Sequence, residues 1–134
     1  MLNITKQSDY GMLFISYLLK KKTFVPLSTL VKETKLPKRF LARIAAELVK
    51  HKVVESKEGK IGGYKISKMI GKVTLYDYLK IFEGDLALTK CCVDDKYKCV
   101  AYSSCVHKNY MRNTLTQIIQ NDMKKYKLVN LFNK

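Results

Sequence analysis

The break at Lys35-Leu36-Pro37 constrains the fold of this chain more than any other stretch. Proline fixes φ, lacks an amide hydrogen and pushes the preceding residue out of helical angles, so one helix must stop before Pro37 and another can start after it. Upstream, Ser28 is placed to cap a brief helix through Leu30, Val31 and Thr34. Downstream, from Lys38 to about His51, Phe40, Leu41, Ile44, Ala45 and Leu48 share one helical face, while Lys38, Arg39, Arg43, Glu47 and Lys50 look outward. Two short helices, a tight turn and a basic outward start to the second make a helix-turn-helix pattern, in which the start of the second helix reaches base edges. A solvated lysine-rich helix has the same periodicity, so the pattern alone leaves both open.

The next residues decide between them. Val53-Val54-Glu55-Ser56 and Tyr64-Lys65-Ile66-Ser67 are short strand-like runs around the glycine-rich tip Lys57-Glu58-Gly59-Lys60-Ile61-Gly62-Gly63. A hairpin directly after a helix-turn-helix is a wing, with Lys57 and Lys60 available to phosphates or a minor groove. The candidate DNA contacts are Ser28, Thr29, Lys38, Arg39, Arg43, Lys57, Lys60 and Tyr64. A nucleotide-binding phosphate loop is a poor competitor, because neither Gly-Lys-Ser nor Gly-Lys-Thr follows the glycines and no helix opens there.

Helices flank this unit. From about Thr5 to Lys21, Tyr10, Leu13, Phe14, Tyr17 and Leu18 form an amphipathic stripe, with Thr5 or Ser8 as cap and Asp9 in the first turn, where a carboxylate suits the helix dipole. Phe24-Val25-Pro26-Leu27 reads as an extended link. Thr74 caps a short helix carrying Leu75, Tyr78, Leu79 and Phe82 and ended by Gly84. Near the C-terminus, Met111, Leu115, Ile118, Ile119, Met123 and Tyr126 describe one apolar face of a helix of some 18 residues, roughly 27 Å long. So small a winged unit cannot cover all of it, so pairing with a second copy is the expectation and packing on its own first helix the alternative. The fold class expected is mainly α with a small β-hairpin wing: a winged helix-turn-helix domain at 1–84, a cysteine-rich segment at 85–108, and a long dimerisation helix with the C-terminal segment at 109–134.

All four cysteines and one of two histidines fall between Cys91 and His107, with spacing Cys92-x6-Cys99-x5-Cys105. These gaps keep no single helix face, so three sulfurs meet only if the segment is an irregular loop. Three thiolates suit an iron–sulfur cluster or zinc, the fourth position being filled by another group. Neither gap is the C-x2-C knuckle of structural zinc sites, which favours a cluster. Disulfides and inert thiols are the competing readings. The start of the chain lacks the order of a signal peptide and no apolar run is long enough to span a membrane, so reduced thiols in the cytoplasm are the expectation.

Lys and Arg number 26 against 11 Asp and Glu, a net charge of +15, so polyanions are the natural partners, double-stranded DNA and RNA ahead of membranes. With only His51 and His107 and no arrangement of nucleophile, base and orienting group, an enzyme is not expected. A basic RNA-associated protein with structural cysteines remains the alternative from a different class.

Thr5-Lys6-x-x-Asp9-Tyr10, Phe40-Leu41-x-x-Ile44, Gly59-x-x-Gly62-Gly63-Tyr64, Gly84-x-x-x-Leu88 and the three spaced cysteines together resemble the IscR and NsrR type of bacterial winged-helix regulators, the Rrf family. The likeness covers almost the whole chain. It implies a homodimeric transcription regulator, a repressor, that senses cluster status, iron or nitric oxide and binds a roughly palindromic operator. It also implies a 4Fe–4S or 2Fe–2S cluster on Cys92, Cys99 and Cys105, with zinc as the alternative metal. In the NsrR branch the fourth ligand is an aspartate from the other subunit's first helix, and Asp9 stands at the matching place. In the IscR branch it is a histidine three residues past the last cysteine, whereas His107 lies two past Cys105 and is the reserve ligand. Cys91 has no counterpart in the trio. Three departures stand out: Ala42 replaces a base-reading glutamate of IscR, Glu58 replaces a common wing arginine, and the first cysteine gap is one residue longer than usual.

Overall fold

Thr5, in extended conformation, accepts a hydrogen bond from the Ser8 amide and so starts α1 (Lys6–Leu19). The computed structural model to which this helix belongs describes residues 3–93 and 98–133; residues 94–97 of the expected cysteine-rich segment, and 1, 2 and 134 at the chain ends, lie outside the described residues. The buried face of α1 is rotated from the expected stripe. Ser8, Gly11, Phe14, Ile15 and Leu18 are buried, whereas Tyr10 and Tyr17 are half-buried and Leu13 is 37% exposed. The cause is a close approach at Gly11, where an added Cβ would run into the Tyr78 hydroxyl. The small residues face inward because a fully buried tyrosine fills the space they leave.

The chain then reaches α2 (Leu27–Thr34), and here Ser28 does not act as the cap. Pro26 takes that position at φ −61°, its carbonyl accepting from Thr29 and Leu30 amides, so Ser28 lies inside the first turn with its side chain exposed. Lys35 ends α2 in left-handed conformation at φ 59°, and α3 (Lys38–Lys50) follows. As expected, Leu41, Ile44, Ala45 and Leu48 are buried, while Phe40 is half-buried against Tyr10. The wing pairs β1 (Val54–Lys57) antiparallel with β2 (Gly63–Ile66), Val54 opposite Ile66 and Lys57 opposite Gly63. A bridge from Val25 to Tyr64 fastens the wing to the segment before α2.

A 3-10 turn (Lys68–Lys72) leads to α4 (Leu75–Glu83), started by a reciprocal Thr74 and Asp77 capping box and stopped at Gly84. Cys91 and Cys92 sit in the helical turn α5 (Lys90–Val93) rather than in wholly irregular loop. The C-terminal helix differs more. A π-helical stretch (Tyr110–Leu115) precedes α6 (Thr116–Lys124), and Thr116 gives both amide and hydroxyl hydrogens to the Met111 carbonyl five residues back. One extra residue per turn breaks the strict helical stripe, leaving Ile118 56% exposed while Met111, Leu115, Ile119 and Met123 are half-buried. After α6 the chain folds back: Lys127 bridges Thr74, and a 3-10 turn (Leu128–Phe132) places Leu128 in the same buried cluster as Phe14, Leu41, Ile44, Val53 and Tyr78. The architecture is the mainly helical, hairpin-bearing winged helix-turn-helix read from the sequence, with a C-terminal tail that completes its core.

Candidate functional site

The turn before Pro37 leaves the first residues of α3 projecting from the core. Lys38, Arg39 and Arg43 are exposed because the buried face is filled by Leu41, Ile44 and Ala45. Ser28 is exposed and Thr29 half-buried on α2. At the wing tip, Gly59 and Gly63 take φ of 108° and 139°, backbone that side chains rarely tolerate. A Cβ at Gly62 would strike the Lys57 carbonyl, so these glycines make the tight tip that carries exposed Lys57 and Lys60.

Tyr64 has another commitment. Its backbone exchanges two 2.8 Å hydrogen bonds with Val25, and its half-buried ring meets Phe14 edge-on at 5.8 Å. Lys65, which the sequence reasoning left out, lies with Lys57 on one face of the wing, their ammonium groups 5.9 and 5.8 Å from the centre of the Phe24 ring. Strand register carries that signal, since Glu55 pairs with Lys65 and Lys57 is two residues from Glu55. Lys57 is therefore joined by a second cation on the same face of the wing.

The cysteine segment starts where α4 meets α1. The Glu83 carboxylate accepts from the Thr5 amide at 2.8 Å, from the Thr5 hydroxyl at 2.9 Å and from the Ser8 hydroxyl, and the Tyr78 hydroxyl donates to the Ser8 carbonyl. Burial pushes the Glu83 carboxyl upward, but the hydrogen bonds from Ser8 and Thr5 outweigh it and hold it below the usual carboxylate range. Burial, helped by the Asp9 and Glu83 carboxylates, pushes the Tyr78 phenol well above its usual value, so it stays a donor. Asp9 is exposed on the first turn of α1.

All four thiols are free and half-buried. Cys91 and Cys92 share the Thr89 hydroxyl at 3.1 and 3.0 Å. The Thr89 hydrogen bond holds the Cys91 thiol below its usual range against the effect of burial, with Cys92 and the Arg112 charge acting in the same direction as Thr89. Arg112, from the π-helical stretch, also donates to the Cys91 carbonyl at 2.7 Å. Cys105 lies 3.7 Å from Nε2 of His107. Among the described residues, no group of three or more cysteine, histidine or acidic donors is gathered at one point, so Cys92, Cys99, Cys105 and Asp9 are not brought together within one chain. In chemistry the donors fit a soft metal: free thiols outside any disulfide in one segment, with an imidazole beside the last.

A family model described as Rrf2, iron-dependent transcriptional regulator, matches residues 4–134. A protein of Aquifex aeolicus (strain VF5) described as an HTH-type transcriptional regulator is 32% identical over 95 residues, 70% of this chain and 65%, just under two thirds, of that protein. The fold matches CymR, the global cysteine regulator of B. subtilis, with TM-score 0.71 and 19% identity over 98% of this chain and 97% of that one. It also matches T. potens IscR, with TM-score 0.60 and 20% identity over 97% of this chain and 85% of that one.

Proposed function

The chain belongs to the Rrf2 family of transcriptional regulators, DNA-binding proteins rather than enzymes, and from that premise we propose that it is a homodimeric repressor sensing iron–sulfur cluster status, iron or nitric oxide. The observation that carries the reading is the confinement of four free thiols to one segment, which follows the Glu83 tie to α1 and whose Cys91 carbonyl is held by Arg112 from the helix leading into α6. In this reading residues 1–84 bind a roughly palindromic operator, 85–108 hold the cofactor and 109–134 pair two copies. Ser28, Thr29, Lys38, Arg39 and Arg43 face the major groove, and Lys57 and Lys60 of the wing approach phosphates. Tyr64 shapes the wing base from its place against Phe14.

Cys92, Cys99 and Cys105 would hold a 4Fe–4S or 2Fe–2S cluster, with the partner subunit's Asp9 as fourth ligand and His107 in reserve. Such a cluster supplies redox and nitric oxide reactivity that side chains lack. The chain's own part is mechanical. Glu83 fixes the start of the segment to the turn of α1 that carries Asp9, so a ligand shared between two copies would set the spacing of their reading helices. Regulation requires that holo and apo dimers differ in DNA affinity.

The test is anaerobic purification followed by absorption spectroscopy, iron and sulfide analysis and native mass spectrometry. A brown dimer that loses its colour in Cys99→Ser, with DNA affinity changing on cluster loss, is expected. A colourless wild type after anaerobic reconstitution would reject the cluster. Stoichiometric zinc without iron would select a second reading, a zinc or thiol switch, which the Cys105 and His107 pair favours.

A further inference from the structure

We infer that the groove between the end of α3 and α4 docks an acidic, amphipathic segment of a partner protein. The groove measures about 510 Å³. Its floor is apolar, formed by Val53, Val73 and Ile81, and Met69 stands at its edge 47% exposed. Methionine there is suited to moulding around another apolar side chain. Lys52, Lys72 and Lys80 surround this floor. Lys80 is engaged by Asp85 at 3.7 Å, but among the described residues Lys52 and Lys72 have no ion-pair partner. The carboxylate that lines the groove, Asp77, is committed to the helix cap, accepting from the Thr74 amide at 2.9 Å and hydroxyl at 2.7 Å.

Charge decides the occupant. A second copy, which would pair through 109–134 in the proposed dimer, carries +15 overall and offers this groove more like charge than opposite charge. Duplex DNA would satisfy the lysines but leave the apolar floor unfilled. The groove also lies beyond the far end of the 13-residue α3, about 20 Å from the basic start of that helix by its rise per residue. A protein segment with carboxylates flanking large apolar side chains meets both demands. Only the separation from DNA rests on the proposed DNA surface, so the two ligands are measured separately.

The probe is a short fluorescein-labelled peptide with glutamates along one helical face and leucines along the other, titrated with the full chain and read by anisotropy. A control peptide replaces every leucine with serine at unchanged charge. The leucine peptide is expected to bind, the serine peptide to bind far more weakly, and the double change Lys52→Glu and Lys72→Glu to cost roughly tenfold or more, two reversed charges at surface strength. Met69→Glu is expected to weaken the same peptide. Lys57→Glu with Lys60→Glu, on the wing, is expected to lower DNA affinity and leave the peptide unaffected. Equal binding of the two peptides, or no effect at Lys52 and Lys72, would overturn the inference. So would a loss of DNA affinity at Lys52 and Lys72 as large as at the wing.

Discussion

Leu128→Ala tests how the C-terminal tail is used. Leu128 is fully buried, its amide donates to the Val73 carbonyl at 2.9 Å, and Leu75 donates back to Tyr126 at 2.9 Å. This two-sided pinning limits collapse around the lost side chain, which places the cost in the middle of the usual range for buried leucine, about 3–4 kcal/mol. With a urea slope of about 2 kcal/mol/M for a small domain, the midpoint should fall by about 1.5–2 M at unchanged slope. The assay is urea unfolding by circular dichroism over a series of protein concentrations. Ile118→Ala, 56% exposed on α6, is the comparison: its intrinsic effect should stay within about 0.5 kcal/mol, and any larger loss should depend on concentration. A Leu128→Ala midpoint within about 0.3 M of wild type, against the shift expected for a core leucine, would refute the view that the tail completes the winged unit.

Gly11→Ala should cost about 1–3 kcal/mol through overpacking against Tyr78, and less in a Tyr78→Phe background where the blocking hydroxyl is gone; additive costs in thermal melts would dismiss the contact. Glu83 has a folded pKa below its unfolded one, so its contribution to stability is present above about pH 4.3 and is lost as pH falls through the lowered value. Glu83→Gln should therefore be less stable at neutral pH and lose less on acidification, and parallel pH profiles of the urea midpoint would count against the Thr5 and Ser8 latch. Lys65→Ala should lower the dependence of DNA affinity on salt by about 0.9 in the logarithmic slope if its ammonium meets a phosphate, measured by anisotropy with a duplex probe; an unchanged slope removes Lys65 from the interface.

The winged unit was legible because each of its turns has a chemical cause written in the sequence. Pro37 forces a break, the glycines at 59, 62 and 63 permit a tip no other residues would form, and the Thr74 and Asp77 pair is a capping box. The misjudged features depend on contacts between distant residues. Nothing local says that Gly11 must face inward, since that follows from where Tyr78 lands. Ser28 has the chemistry of a cap, yet Pro26 two residues earlier already had the fixed φ of that position. The π-helical stretch is equally hidden, because the apolar spacing from Met111 to Tyr126 fits an unbroken helix until Thr116 bonds five residues back. For the cysteines, spacing marked out the segment but could not say whether its sulfurs converge, and among the described residues no group of three or more cysteine, histidine or acidic donors is gathered at one point.

The anchors of the cysteine segment show why it could matter to a DNA-binding fold. Glu83, the last residue of α4, accepts hydrogen bonds from Thr5 and Ser8, beside Asp9, and Gly84 follows at φ 73°, a backbone angle that turns the chain away from α4. At the other side, Arg112 holds the Cys91 carbonyl, and Gln120 of α6 donates to the Leu86 carbonyl at 2.8 Å. A change in the segment would thus bear on α1 and α6 together. α1 packs on α3 and α4, and α6 packs on α4, so α1 is the direct route by which a change in the segment could reach α3, with α6 acting through α4 and α1. Contact alone transmits nothing; the segment must have two arrangements whose difference in free energy is altered by DNA. The polar anchors suit that requirement better than a continuous apolar core would, since hydrogen bonds to Glu83 and Arg112 can be exchanged for water at modest net cost while the buried helices keep their packing.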